Sequence, residues 1–336
     1  MKASDGQMNS REIAYSGAVC LMNLIREDGS FRYRYDSTTG DLLNGYNVLR
    51  HAGTIWSMLG VYREVGDATI LEGAKRATHY LLDSYLRFFR SYNNACICED
   101  NKIKLGGNSL ATLALMSLYE LTREPFLLAV AEQLTHFVIA QRAEKGMLVH
   151  KRYFASGKIS DFTSMYYTGE ALLSLLHVYR LTGRDDLLDL VLEIEDELAA
   201  GDYGVAEQSH WMLYALELLS IFQQGPRHYQ HAAKIANHIL DNPDYLAWER
   251  STPIACRSEG LLAFLRMKRP IGVDDIVLRE KCVEQIRYNL TRQLDFRLPD
   301  GAFLRGGHDR RKDEVRIDYI QHNISSFLGY AQLAAA

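Results

Sequence analysis

Two kinds of apolar pattern alternate along this sequence. Six stretches, residues 50–63, 108–122, 167–182, 210–223, 257–268 and 322–334, are apolar nearly all round and open on small or polar residues. Helices of that kind are buried on both sides. Between them lie residues 67–88, 124–142, 185–199, 227–240 and 274–294, each with a narrower apolar stripe and a charged face; residues 11–26 supply a sixth such stretch ahead of the first buried one. Four of the amphipathic stretches open on an acid (Asp67, Glu124, Asp185, Asp274), which suits the positive end of a helix. The joints Val65-Gly66-Asp67, Thr122-Arg123-Glu124 and Thr182-Gly183-Arg184 are short, so the helices they connect run antiparallel.

Six buried and six amphipathic helices in strict alternation hide their apolar faces as an inner ring inside an outer ring. An open solenoid would end on polar caps, whereas the last buried stretch here is as apolar as the first. The expectation is an all-α fold, an (α/α)6 toroid of six helical hairpins formed by the whole chain, residues 1–336, as one domain. The helices opening near Arg50 and His322 should then be neighbours. Connections from outer to inner helix are long. Residues 29–41, 146–158 and 301–318 set aromatic and charged residues around glycines, in the manner of β-hairpins. Such loops emerge at one end of the ring, where rigid scaffolds gather their ligand sites.

Composition narrows the partners rather than the fold. The chain is 47% apolar and 24% charged, ordinary for a protein with a large core. A formal net charge of −4 provides no basic footprint, so no nucleic acid partner is expected. No apolar run nears the ~18–20 residues of a membrane span. The polar stretch from Met1 to Arg11 lacks the apolar core of a secretory signal, and a cytoplasmic protein is expected. Five cysteines argue against a complete disulfide framework. Cys96 and Cys98 stand two apart and no C-x-x-C occurs, while Cys20, Cys256 and Cys282 sit in apolar helical stretches as small core residues. Neither a metal nor another cofactor is expected, and nothing fixes the oligomeric state.

The candidate chemistry lies in the first turns of the buried helices, where polar groups recur at the head of apolar runs. Such groups are expensive to bury unless paired or used. In order they are Asn47, Arg50 and His51; Asn108; Tyr166, Tyr167 and Glu170; Glu207, His210 and Trp211; Arg257 and Glu259; and Asp318, Gln321, His322 and Asn323. Gly169-Glu170-Ala171-Leu172-Leu173 aligns with Ser258-Glu259-Gly260-Leu261-Leu262, which makes the two glutamates equivalent. The long loops add Arg32, Arg34, Lys151, Arg152, Arg305, His308, Arg310 and Arg311, interleaved with aromatic residues. A basic, aromatic-rimmed mouth suits an anionic sugar, because aromatic faces stack on sugar rings and arginine grips a carboxylate through two parallel hydrogen bonds.

Six helix pairs with aromatic-rich loops at one mouth resemble the six-hairpin superfamily of carbohydrate-active enzymes, over nearly the whole chain. That superfamily contains glycosidases, unsaturated-uronide hydrolases, lyases and N-acylglucosamine 2-epimerase-like isomerases. The hydrolases present carboxylates at the cavity, for which Glu170 and Glu259 qualify. The lyases and epimerases use His, Tyr, Arg and Asn, which resembles the set around Asn47, Arg50 and His51, around Tyr166 and Tyr167, and around His322 and Asn323. Toroids that hold zinc need a Cys/His arrangement that the sequence does not display. The leading expectation is proton abstraction from an acidic sugar beside a carbonyl or carboxylate, giving epimerisation or β-elimination. His51, His210 and His322 are its candidate acids and bases, Arg50 and Arg257 hold the enolate, and Tyr166 or Tyr167 returns the proton. The alternatives are glycoside hydrolysis by Glu170 and Glu259 and a toroid that binds a glycan or peptide without turning it over. For the first mechanism, His51 and His322 are expected to face one pocket.

Overall fold

The computed structural model describes residues 9–90, 94–143 and 147–335. The stretch Met1–Met8 and the predicted loop start Gly146 lie outside the described residues. Twelve α-helices are present among the described residues. Six form the inner ring: α2 (Val48–Val65), α4 (Leu105–Thr122), α6 (Tyr167–Thr182), α8 (His210–Phe222), α10 (Ser251–Arg266) and α12 (Ile317–Ala335). Six lie outside them: α1 (Ser10–Asn23), α3 (Ala68–Tyr85), α5 (Pro125–Ile139), α7 (Asp185–Ala200), α9 (Pro226–Asp241) and α11 (Ile276–Leu294).

Burial separates the two rings as the sequence pattern does. In α4 every residue from Leu105 to Leu118 is buried, because it has neighbours on both sides. In α3 only Ile70, Gly73, Ala74, Ala77, Thr78 and Leu81 are buried, one stripe at helical spacing. Each inner helix packs against the next, and α12 packs against α2, so the ring closes and the helices that begin near Arg50 and His322 are neighbours. The short joints follow from their caps. Gly66, Arg123 and Gly183 each take a left-handed conformation (φ 73°, 59° and 70°) and their backbone N–H groups close the last turns of α2, α4 and α6. Gly169 permits the close approach of α6 to α8, since a Cβ there would stand 2.6 Å from the backbone nitrogen of Met212.

The strands are short and stand at the looped end. Strand β1 (Arg34–Asp36) pairs antiparallel with β6 (Glu314–Arg316), in register Tyr35 with Val315, so the first and last loops fasten the ring where the chain's two ends meet. A second sheet has the order β2-β3-β4-β5: β2 (Leu86–Phe88), β3 (Ala95–Glu99), β4 (Lys102–Lys104) and β5 (Lys151–Tyr153). The expected hairpins are thus partly replaced by pairings between different loops, and β2 to β4 occupy a connection with no predicted strand. Pairing between loops is set by where the helices deliver them, which local alternation does not encode. No helix of the described residues is long and apolar enough to cross a membrane.

Candidate active site

The first turns of the inner helices converge on a cavity of about 280 Å³. Leu49 and Arg50 reach it from α2, Leu110 from α4, Tyr166 and Glu170 from the start of α6, and His210 and Trp211 from α8. Thr252, Pro253 and Cys256 come from α10, and Asp318, Tyr319, Gln321 and His322 from α12. Arg250, Arg305 and Arg316 close it from the loops.

Two histidines stand side by side at its centre, His210 and His322, with ring centroids 5.4 Å apart and planes nearly perpendicular. Their surroundings differ. His322 Nδ1 is 2.8 Å from Glu259 Oε1, and the other oxygen of that carboxylate accepts from Tyr214 Oη at 2.8 Å. Burial opposes charge on His322, but Cys256 and Glu259 outweigh it and raise its pKa well above that of free histidine. His210 is 2% exposed and neither ring nitrogen has a hydrogen-bond partner among the described residues. Burial, helped by His322 and Arg257, holds its pKa well below the usual value, so its ring is neutral. Tyr166 meets His210 edge-on with centroids 5.7 Å apart.

Glu170 is also buried and its Oε2 has no partner; burial pushes its pKa up to about 8, against an opposing pull from His322. Room for its carboxyl exists because residue 106 is glycine: a Cβ there would stand 2.1 Å from Glu170 Oε2. On the opposite wall Asp318 is held by Arg50 (2.9 Å) and Arg316 (2.9 Å), and these guanidinium groups keep it ionised despite burial. Arg50 also donates to Tyr33 Oη at 3.0 Å. Arg305 grips Asp309 with both terminal nitrogens, at 2.6 and 2.8 Å.

Of the residues singled out in the sequence, Arg50, Tyr166, Glu170, His210, Trp211, Arg305, Asp318, Gln321 and His322 line the cavity, and Glu259 stands directly behind His322. Others do not reach it. His51 is turned outward, against the expectation that it would share a pocket with His322. Its Nδ1 pairs with Tyr46 Oη at 2.7 Å and its Nε2 with the Ala77 carbonyl of α3 at 2.8 Å, so both nitrogens are committed to structure. Burial lowers its pKa to about 4. Asn47 caps α2, accepting from the backbone N–H groups of Leu49 and Arg50. Asn108 stitches β3 to α4, accepting from Ile97 N and donating to the Lys104 carbonyl.

Tyr167 packs among His150 and Phe162. Arg257 donates to Gln208 and lies over the Tyr245 ring. Asn323 donates to the Tyr319 carbonyl. Arg32 binds the Gly40 carbonyl, Arg34 is 3.9 Å from Glu314, and Arg152 donates to Gln141, all within the loops. Among the lining residues that the sequence did not single out are Arg250, Arg316 and above all Cys256, which reads as core but borders the cavity. Its position one turn before Glu259 was the available signal.

One donor atom from each of His210, Cys256, Glu259 and His322 lies within 4.8 Å of the others.

The architecture is that of an (α/α)6 toroid, and solved structures share it over nearly the whole chain. A D-mannose isomerase superposes with a TM-score of 0.74 at 9% identity, over 98% of this chain and 100% of its own. An unsaturated glucuronyl hydrolase specific for heparin gives 0.72 at 11% identity, over 98% and 99%. Cellobiose 2-epimerase from Bacillus thermoamylovorans B4167 gives 0.71 at 14% identity, over 96% and 99%. No protein-family profile and no curated protein matches the sequence.

Proposed function

We propose that this protein is a carbohydrate-active enzyme that epimerises a small acidic sugar by moving a proton at the carbon beside a carbonyl. The observation that carries the reading is the His210–His322 pair inside one small cavity. Neutral His210 presents one basic ring nitrogen whose lone pair no protein group takes, as a general base requires, while the carboxylate of Glu259 orients His322 and supports it as the proton donor. The developing enediolate would lie against Arg50 and Arg316. At about 280 Å³ the cavity is small for a polymer groove, which supports a monosaccharide unit rather than a long glycan. Solved counterparts that are named as an isomerase and a 2-epimerase have the same fold and support the same reaction class.

The test is proton exchange followed by NMR in deuterated water, with uronates, phosphosugars and neutral aldoses as substrates. Deuterium should enter at the carbon next to the carbonyl, and His210→Ala or His322→Ala should each slow exchange by ~10²–10⁴-fold. Elimination in place of epimerisation would appear as an alkene proton in the same spectra. Glycoside hydrolysis is favoured by one observation, the neutral carboxyl of Glu170, a natural general acid. Its would-be partner Glu259 is occupied by Tyr214 and His322. Glycosidic cleavage without exchange, abolished by Glu170→Gln, would replace the epimerase reading.

A further inference from the structure

Proton transfer does not explain why a thiol stands among the histidines. His210 comes from α8, Cys256 and Glu259 from one turn of α10, and His322 from α12. Their four donor atoms lie within 4.8 Å of one another. Cys256 is 5% exposed and Glu259 1%, and the side chain of His322 is 13% exposed. The second observation is the state of His210 within this cluster, 2% exposed with both nitrogens unpartnered. Leaving a buried polar group unmet costs ~1–3 kcal/mol, so a buried imidazole without a partner points to a ligand.

We infer that His210, Cys256, Glu259 and His322 form a site for a borderline-soft divalent cation of the zinc class. Two imidazoles, one thiolate and one carboxylate are the donors such ions take four at a time, whereas magnesium and calcium take oxygen. The i, i+3 spacing of Cys256 and Glu259 puts both on one helix face, and the two histidines close the set from the flanking helices. Tyr214, donating to Glu259 Oε2, fixes the carboxylate from behind. Charge balances on binding. The Cys256 thiol releases its proton to solvent, the proton shared by His322 and Glu259 leaves likewise, and the thiolate and carboxylate neutralise the dication.

A bound cation takes the lone pairs that the proposed proton transfer needs. The metal-loaded and metal-free proteins are therefore alternative states of one cavity, and the inference goes beyond the proposed reaction without depending on it.

The experiment uses the chain stripped with a chelator and titrated with Co²⁺, without substrate. Expected are one equivalent bound, visible absorption of a tetrahedral ion, and a thiolate-to-cobalt charge-transfer band that Zn²⁺ displaces. Cys256→Ser should remove that band while leaving the melting curve of the metal-free protein in place. His210→Ala should weaken binding at least tenfold, and Cys96→Ser, in the separate loop sheet, should change neither. A missing charge-transfer band, or one that survives Cys256→Ser, overturns the site. Because the spectrum is read without turnover, a failed epimerase assay leaves it untouched, and a failed spectrum leaves the exchange assay untouched.

Discussion

The three histidines at the heads of inner helices look alike in sequence and part company in space. His51 satisfies both nitrogens inside the wall, His322 is oriented by a carboxylate, and His210 satisfies neither nitrogen. His51→Ala should therefore cost stability, ~1–3 kcal/mol from the stranded Tyr46 hydroxyl and Ala77 carbonyl. Denaturant titration would register that loss, while turnover per folded molecule should stay within a few-fold of wild type. A His51→Ala protein of normal stability and abolished turnover would show that the residue acts in the cavity after all. Arg50 belongs to the other class. It lines the cavity and shares Asp318 with Arg316, so Arg50→Gln leaves that carboxylate one partner. Its loss should raise KM for an acidic sugar roughly tenfold, about 1.4 kcal/mol, and should leave KM for a neutral analogue unchanged. Equal effects on both substrates would count against an anionic ligand.

At the scale of elements, the site depends on how closely the inner helices approach. Gly169 lies one residue before Glu170, on the face of α6 that meets α8, and its missing side chain lets the two helices come together at the cavity. Gly169→Ala would thrust a methyl group to 2.6 Å from the Met212 backbone nitrogen, where nothing can yield without moving a helix. Overpacking of that kind costs ~1–3 kcal/mol. The displaced α8 carries His210, so the variant should lose both melting temperature and exchange rate. An unchanged melting temperature would mean that α6 and α8 do not pack as described. Glycine in the αL caps at residues 66 and 183 was legible from the joints themselves, whereas the role of Gly169 appears only once α8 is in place.

The whole molecule is a closed ring with an outer layer, and its outer layer holds a buried cluster of one carboxylate and two histidines that do not line the cavity. Glu195 of α7 accepts from His228 and His231 of α9, the latter at 2.8 Å, and is 1% exposed. Burial alone would favour the neutral acid, but the two histidine bonds overcome it and hold the pKa down to about 2, from 4.5 in a free glutamate. A depressed acid stabilises the fold above its unfolded pKa, and that contribution drains away as pH falls from about 4.5 to about 2. Its full size is on the order of 3 kcal/mol. Glu195→Gln should accordingly be less stable than wild type at pH 7, with the gap closing by pH 2 in denaturant titrations. A gap that does not change with pH would assign the loss to packing rather than charge.

Hydrophobic periodicity and the short joints determined the architecture in the sequence: the periodicity which helices are inner, which outer and that the ring closes, the joints that they pair antiparallel. Burial from two sides or from one leaves a different stripe on each helix, and that stripe is written locally, as α4 and α3 illustrate. The approximate place of the cavity was legible for the same reason, since polar residues at the heads of apolar helices stand out against the pattern. Which of them face inward was not. His51 and His322 open adjacent helices, yet the rotation of each helix about its axis directs one ring to Ala77 and the other to Glu259. That rotation is set by packing against neighbours far away in sequence. The cluster of His210, Cys256, Glu259 and His322 was beyond reach for a sharper reason. Metal motifs are recognised by ligands close in sequence, and here three helices supply them, with His210 46 residues before Cys256 and His322 63 residues after Glu259, so only closure of the ring brings the donors within 4.8 Å.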